Sequence, residues 1–374
     1  MSGPPTARPL PPGAASAAPV TPLAANAGPA PWPALTWPGT QVRRLQSAQG
    51  ARYQVTVWLP PGDAPPGGFD ALVVLDANAL FGTFVEAVRR SSRRPDATGI
   101  APAAVIGIAH EGDALFADSL RRRDYTAGPP ANEAPPADGS AGGAADFLAF
   151  IADALMPQLC RELPLNPARQ TLFGHSLAGH FVLQALAARP QAFRTWAAIS
   201  PSIWWDEAGL RAALQAALAG ERGGDLPQRR AAPEPGMAPP GGARRRGSGP
   251  GEAGERGGDL PQRRAAPEPG TAPPGGSGPG EAGERGGLDA LPRVFLAVGE
   301  WEEAVPPWQR QHPGYEQLVA RRAQRRMVAS ARELAADLAR WLDASRVAFR
   351  LFPEEDHASI LMVAVQRTLR FASM

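Results

Sequence analysis

One serine of the chain lies in a sequence context that could make its hydroxyl group a nucleophile. Ser176 stands in the stretch QTLFGHSLAGHFVLQAL, where an apolar, strand-like run leads through small residues into a helix-like run. A strand–turn–helix of this kind lifts a serine oxygen clear of a sheet and sets the N–H groups of the helix start beside it. The pattern predicts a strand to Phe173, a turn from Gly174 to Ser176 and a helix from Leu177. The alternative interpretation is that Ser176 only caps this helix.

A serine hydroxyl needs a neighbouring base, because it is hardly ionised near neutral pH. The chain has five histidines, and two of them, His175 and His180, flank the serine too closely to bend back onto it. His357 follows the apolar run AFRLFP and precedes the last helix-like run, so it is predicted to lie in a loop and to act as the general base. The other interpretation of His357 is a solvated loop residue among acidic neighbours.

A third group, a carboxylate, is expected to orient the imidazole. The chain order serine, acid, histidine directs attention to the loop after RVFLAVG, which offers Glu300, Glu302 and Glu303. Glu302 is preferred, because its distance from the strand end leaves room for the imidazole, and Glu300 is the second choice. Any of the three could instead be a solvated surface residue.

Backbone N–H groups are the expected donors to an oxyanion at this serine. The N–H of Leu177, at the helix start, is one candidate. The other is the N–H of Ala77 or Asn78 in the loop after ALVVLD, where an ordinary turn is the competing interpretation. Ala178 occupies the last glycine position of a G-x-S-x-G pattern, and we expect only a minor packing effect because alanine is also small.

The segments around these residues alternate between strand and helix patterns. An opening antiparallel pair is predicted for TQVRRLQS and YQVTVWLP. Apolar runs predict further strands in ALVVLDAN, PAAVIGIAH, RQTLFGH, RTWAAIS, RVFLAVG and VAFRLFP. Helical spacing is found in FVEAVRRSSRR, ADFLAFIADALMPQLCREL, HFVLQALAARP, EAGLRAALQAALA, SARELAADLARWL and SILMVAVQRTLRFA. This order predicts an α/β fold with a mainly parallel central sheet and helices on both faces, and reactive groups at the carboxyl ends of its strands.

Two segments account for most of the 43 prolines and 41 glycines. Residues 1–37 are rich in Pro and Ala and are predicted to be disordered, because they offer little apolar area to bury. Residues 221–288 contain a tandem Pro/Gly/Arg-rich repeat, in which GERGGDLPQRRAAPEPG recurs. The repeat has no apolar stripe, so a low-complexity, disordered insertion is predicted. One α/β domain is then expected from residues 38–220 and 289–374.

Charge and cysteine content exclude several classes of protein. The 38 basic residues, all arginine, face 36 acidic ones, and no basic stripe with interleaved aromatics occurs in the predicted domain, which argues against a nucleic-acid partner. Cys160 is the only cysteine, so an intrachain disulfide is excluded and a reducing compartment fits. Neither a signal-peptide-like run nor 18 consecutive apolar residues are found, so we expect a cytoplasmic protein without a membrane span.

Six stretches, taken in order, resemble the enterochelin-esterase-like family of α/β-hydrolases, which is related to S-formylglutathione hydrolases and feruloyl esterases. They are LDANALF, RRRDYT, GHSLAGHFVLQAL, FRTWAAISPSIWWD, AVGEWE and PEEDHASI. The similarity covers roughly residues 38–220 and 289–373, and family members usually carry glycine where this chain has Ala77 and Ala178. The resemblance implies the α/β-hydrolase fold and an ester substrate. It also implies that no metal or organic cofactor is needed, and that iron would enter only within a ferric catecholate siderophore.

Such a substrate is a polyanion with flat aromatic rings. Arg121, Arg122 and Arg123 are candidates for cationic and stacking contacts with it. Trp204 and Trp205 are candidates for the aromatic wall of its pocket. The alternatives are a solvated arginine run and a tryptophan pair that only covers the core.

Three functional hypotheses follow. The first is a serine carboxylic-ester hydrolase that works through an acyl-enzyme on a catecholate siderophore lactone. The second is an acyltransferase, or an esterase on a different small acyl ester, with the same serine and histidine. The third is a non-catalytic binding protein whose residues 221–288 recruit partners. This insertion enters where the fold often carries lid elements, so we hypothesise that it shields the site loosely. The sequence does not fix the oligomeric state.

Overall fold

The computed structural model describes residues 36–131, 141–219 and 291–374. Within these ranges eight strands form one sheet, in the spatial order β1-β2-β4-β3-β5-β6-β7-β8. The strands are β1 (Thr40–Gln46), β2 (Arg52–Trp58), β3 (Phe69–Leu75), β4 (Ala103–His110), β5 (Leu165–His175), β6 (Thr195–Ile199), β7 (Arg293–Gly299) and β8 (Val347–Phe352). The pairs β1–β2 and β2–β4 are antiparallel, and the other five pairs are parallel. The predicted opening antiparallel pair and the mainly parallel sheet are confirmed.

Helices connect the strands and cover both faces of the sheet. They are α1 (Ala77–Ser91), α2 (Pro95–Thr98), α3 (Asp118–Tyr125), α4 (Ala144–Ala149), α5 (Met156–Glu162), α6 (Leu177–Ala188), α7 (Glu207–Ala219), α8 (Tyr315–Arg325), α9 (Met327–Trp341) and α10 (Ile360–Ser373). Helices α1 and α10 build one hydrophobic core, whereas α4 to α7 and α9 build the core on the opposite face. The fold is thus the predicted three-layer α/β arrangement.

Burial explains the apolar runs of the central strands. All eight residues of β4 and all five of β6 are buried, because helices cover both of their faces. The outer strand β1 is mostly exposed and carries polar residues, as is common at a sheet edge. The apolar sequence of the inner strands is therefore a consequence of two-sided packing.

Several boundaries differ from the predictions, and some helices were not predicted. Strand β5 continues to His175, because Gly174 and His175 still pair with β6, so the predicted turn reduces to Ser176. Helix α1 begins at Ala77 instead of Phe84. The predicted oxyanion donors Ala77 and Asn78 therefore lie in the first turn of a helix and not in a loop. The predicted helix from Ala145 on is divided by a π-helical segment between α4 and α5. Helices α2, α3 and α8 were not predicted.

The two segments of unusual composition fall largely outside this description. All of residues 221–288, and all but the last two of residues 1–37, lie outside the described residues. In the described ranges, no helix combines the length and apolar character that a membrane crossing requires.

Candidate active site

The backbone around Ser176 holds the serine in an unusual conformation. It lies between the last residue of β5 and the first of α6, with φ 60° and ψ −118°. A side chain at Gly174 would bring its Cβ to 2.3 Å from the carbonyl oxygen of Ala178, so only glycine fits there. The Ser176 N–H donates to the carbonyl of Ile199 at 2.9 Å, which ties the turn to β6. Strain of this kind is found at nucleophilic serines, where it exposes the hydroxyl.

Three predicted residues form one chain of hydrogen bonds at the carboxyl ends of β5, β7 and β8. His357 Nε2 lies 2.9 Å from Ser176 Oγ, and His357 Nδ1 lies 2.6 Å from Glu302 Oε2. An ionised carboxylate can only accept, so Nδ1 carries the imidazole proton and Nε2 is left to accept from the serine. This arrangement can remove the proton of the serine hydroxyl.

The other two glutamates of the loop have different partners. Glu300 Oε2 accepts from the backbone N–H of Glu354 at 3.0 Å. Glu303 Oε2 accepts from the N–H groups of Val328 and Ala329, at 2.9 and 2.8 Å, and so caps the start of α9. Of the three candidates, Glu302 is the one that reaches His357.

Glu302 is fixed from its other side by two donors. Its side chain is 1% exposed, and its Oε1 accepts from the Ser200 hydroxyl at 2.5 Å and from the Gly299 N–H at 2.7 Å. Ser200 directly follows the last residue of β6, is itself buried and has a left-handed backbone conformation with φ 46°. These contacts point Oε2 at His357 and stabilise the buried negative charge.

His175 also supports the histidine loop. Its Nε2–H donates to the backbone carbonyl of His357 at 2.9 Å, and the two rings lie 4.6 Å apart. Burial, with the nearby charge of His357 as a smaller cause, holds the pKa of His175 well below its usual value, so the ring is neutral. This contact between His175 and the loop of His357 was not predicted from the sequence.

The predicted oxyanion donors lie at the starts of two helices, which follow the neighbouring strands β3 and β5. Leu177 opens α6, and Ala77 and Asn78 open α1, where the first N–H groups have no partner within the helix. The Asn78 side chain donates to the carbonyls of Gly112 and Ala114, both at 3.0 Å, and this fixes the loop after β4. Alanine fits at position 77 because the neighbouring strand residue is Gly107, whose added Cβ would lie 2.7 Å from that of Ala77.

Arg121 has a structural partner inside the protein. Its guanidinium contacts both carboxylate oxygens of Asp76 at 3.0 Å, and Tyr125 donates to the same carboxylate at 3.1 Å. Its Nη2 also reaches the carbonyl of His175 at 3.4 Å. Arg121 lines the pocket. Its guanidinium is nevertheless occupied by these contacts, which connect the loop after β3 to the serine turn.

The two arginines that follow point elsewhere. Arg123 donates to Asp124 at 2.6 Å, in a buried network with Tyr53 and His110. Arg122 is exposed on α3. Neither of them is among the residues that line the pocket over Ser176. The run of three arginines falls on a helix, and this orients its side chains in three directions.

A pocket of about 460 Å³ opens over Ser176 and His357. Trp204 and Trp205, predicted as an aromatic wall, both line it, and Trp205 is held by a hydrogen bond from its Nε1 to the carbonyl of Gly128 at 3.0 Å. Trp301, which was not predicted, is a third aromatic residue of the wall.

Helix α8 supplies a basic wall that was not predicted from the sequence. Leu318, Arg321, Arg322 and Arg325 line the pocket and follow one another at helical spacing. This spacing in VARRAQRR is a signal that could have been found in the sequence.

Comparison with known proteins relates this geometry to a family. A family model described as "Putative esterase" matches residues 47–233, half of the chain. The ferri-bacillibactin esterase BesA of Bacillus subtilis is 43% identical over 180 residues, which cover 46% of this chain and 62% of that protein. The siderophore enterobactin esterase of Emericella nidulans is 37% identical over 177 residues, which cover 42% of this chain and 56% of that protein.

The chain thus spans about three fifths of the length of the curated relatives it matches. A solved structure, the BES protein from Bacillus cereus, is similar in fold, with a TM-score of 0.62 and 24% identity over 92% of this chain and all of that one. The serine turn, the histidine and the glutamate lie in the same α/β framework that the sequence resemblance implied. The chain belongs to the "Putative esterase" family.

Proposed function

We propose that the chain is a serine carboxylic-ester hydrolase that works through an acyl-enzyme, with Ser176 as nucleophile, His357 as general base and Glu302 as orienting acid. The observation that carries this proposal is the continuous hydrogen-bond chain from Ser176 Oγ through His357 to Glu302, at 2.9 and 2.6 Å. The membership in an esterase family and the names of the curated relatives support the same reaction class.

The reaction follows from these contacts. Ser176 Oγ attacks the ester carbonyl carbon while its proton passes to His357 Nε2, and Glu302 stabilises the resulting imidazolium. The N–H groups of Leu177 and of Ala77 or Asn78 donate to the oxyanion, a contribution of about 3 kcal/mol for one donor. The bond between the former carbonyl carbon and the alcohol oxygen then breaks, which leaves the acyl-enzyme, and His357 gives its proton to the leaving alkoxide. Water, deprotonated by the same histidine, releases the acid and restores the serine.

We propose a catecholate siderophore lactone as the substrate. The relatives in Bacillus subtilis and Emericella nidulans are named as esterases of ferri-bacillibactin and enterobactin. The pocket offers aromatic surface from Trp204, Trp205 and Trp301 and positive charge from α8, which suit flat, anionic rings.

We also propose that one domain is formed by residues 38–220 and 289–374, with 221–288 as an insertion. In support, β6 and β7 pair directly across this interval. The cytoplasm is the proposed compartment, since Cys160 is the only cysteine and is free. Cell fractionation of the native host tests the compartment.

The test of the reaction uses wild type and Ser176→Ala on a ferric catecholate trilactone, its iron-free form and a neutral short-chain aryl ester, with products read by mass spectrometry. Ser345→Ala is a matched control, because Ser345 is exposed and lies just before the amino end of β8, whereas the site lies at the carboxyl ends of the strands. A fluorophosphonate probe adds a readout that needs no knowledge of the substrate, since it should label Ser176 alone.

The outcomes separate the proposals. Cleavage of the trilactone by wild type and by Ser345→Ala, but not by Ser176→Ala, supports the siderophore esterase. Turnover of only the aryl ester supports the mechanism and refutes the substrate. Absence of both turnover and labelling refutes the hydrolase and favours the binding protein.

A further inference from the structure

Helix α8 presents one face to the catalytic pocket. Four of its residues line the cavity above Ser176, namely Leu318 and, three, four and seven positions after it, Arg321, Arg322 and Arg325. No residue of α8 is buried, so packing against the core does not account for this face. An arginine-rich helix face beside a nucleophile needs another explanation.

The three arginines differ in their contacts. Arg322 donates to the carbonyl of Ala304 and, at 2.9 Å, to Gln309 Oε1, so it is held by the protein itself. Arg321 and Arg325 are exposed, and among the described residues neither forms an ion pair with a carboxylate. Besides Glu302, which is bound to His357, the acidic residue that lines this pocket is Asp118, and it is exposed.

Arg325 is also preoriented. Its guanidinium lies over the ring of Trp204, with 4.5 Å between Cζ and the ring centroid. Partial desolvation of its guanidinium and the positive charge of Arg321 both lower the pKa of Arg325, and the second is expected for two cations one helical turn apart. Like charges at this spacing oppose each other, and an anion between them would remove that repulsion.

We propose that Arg321 and Arg325 form an anion-binding subsite of the pocket, which takes the negatively charged, planar aromatic part of the ester. Stacking on Trp204 leaves the N–H edge of Arg325 free for an oxygen pair such as that of a catecholate or a carboxylate. Arg121 cannot serve, because Asp76 already occupies its guanidinium. The inference rests on the proposed esterase function and adds to it the residues that select for charge.

The test compares Arg321→Gln, Arg325→Gln and the double variant on three esters. These are the ferric catecholate trilactone, which is strongly anionic, its iron-free and largely neutral form, and a neutral aryl ester. The matched control is Arg93→Gln, since Arg93 is exposed beyond the end of α1, about 22 Å along that helix from the site.

For the ferric complex we expect kcat/KM to fall about 10-fold for each single variant, through KM, which corresponds to about 1.4 kcal/mol. Turnover of both neutral esters should change little, and added salt should weaken the preference of the wild type for the ferric complex. Equal losses on all three esters, or no loss on the ferric one, would overturn the proposal.

A binding measurement keeps this inference separate from the catalytic one. Quenching of tryptophan fluorescence by the ferric complex is titrated in Ser176→Ala, alone and with the two arginine substitutions. Weaker binding with the substitutions supports the subsite even if the wild type hydrolyses nothing, an outcome in which only the esterase proposal fails. Unchanged binding refutes the subsite.

Discussion

Replacing Glu302 by glutamine tests the hydrogen-bond geometry at the site without changing its shape. In the native protein Oε1 accepts from the Gly299 N–H and the Ser200 hydroxyl, while Oε2 accepts from His357 Nδ1–H. A backbone N–H can only donate, so the amide oxygen of the glutamine has to take the place of Oε1. The amide NH₂ group must then face His357.

This orientation reverses the imidazole tautomer. Nδ1 becomes an acceptor, the ring proton moves to Nε2, and Nε2 can no longer accept the proton of Ser176. We expect kcat of Glu302→Gln to fall by about 10³- to 10⁴-fold, roughly 4 to 5.5 kcal/mol of activation free energy, with little change in KM. In Glu302→Ala the space admits water, which accepts from Nδ1–H and preserves the tautomer. The alanine variant should therefore be the more active of the two.

The assay is steady-state hydrolysis of a neutral aryl ester, with circular dichroism and thermal unfolding as checks of the fold. Glu300→Gln and Glu303→Gln are matched controls, because these carboxylates accept only from backbone N–H groups away from the histidine. A glutamine variant at 302 that is as active as wild type, or more active than the alanine variant, would refute the tautomer argument. An equal loss in Glu300→Gln would refute the choice of acid.

Four further perturbations have expected outcomes. Ser200→Ala removes one of the two donors to Glu302 Oε1 and should lower kcat by about 10- to 100-fold with KM unchanged, since a hydrogen bond to a charged group contributes about 1.5–3 kcal/mol. Burial lowers the pKa of His180 from 6.5 to about 4. Between about pH 6.5 and pH 4 the unfolded chain therefore binds a proton that the folded protein does not. The free energy of unfolding decreases as the pH is lowered through this range. In His180→Leu, the loss of unfolding free energy between pH 6.5 and 4 should be about 3 kcal/mol smaller, as measured by urea denaturation. Gly174→Ala forces a Cβ to 2.3 Å from the carbonyl oxygen of Ala178, so both the melting temperature and the activity should fall. Deletion of residues 221–288 should leave kcat/KM and the melting temperature unchanged.

The sequence could predict the order of the site because α/β architecture converts chain order into position. Ser176, Glu302 and His357 follow the ends of β5, β7 and β8, and the carboxyl ends of neighbouring parallel strands meet at one sheet edge. Apolar runs located these strands, since two-sided burial leaves a strong pattern. Which of the three glutamates reaches the histidine depended on the local turn after β7, and the sequence left that choice open.

The position of the basic wall over the pocket could not be predicted in the same way. Helix α8 buries no residue, so it carries little of the apolar periodicity from which helices are inferred. The stacking of Arg325 on Trp204 joins positions far apart in the chain. It depends on how α8 is placed relative to the carboxyl ends of the strands, which the sequence does not show. Likewise, the partner of Arg121 is Asp76, a residue that is a helix cap with φ 53° where the sequence indicated the end of a strand.

Sheet topology also bears on the hypothesis that residues 221–288 shield the site. Strand β6 ends at the catalytic edge, and α7 then runs about 20 Å back along the sheet before the described chain stops at Ala219. The chain resumes at Leu291, whose carbonyl accepts from Arg346 at the start of β8 at 2.8 Å, and Arg293 then pairs with the start of β6. Both ends of the interval therefore lie near the amino ends of the parallel strands, whereas Ser176 lies at their carboxyl ends. Any shielding by the insertion would have to reach across the full length of the strands, and this is why its deletion is expected to leave the kinetics unchanged.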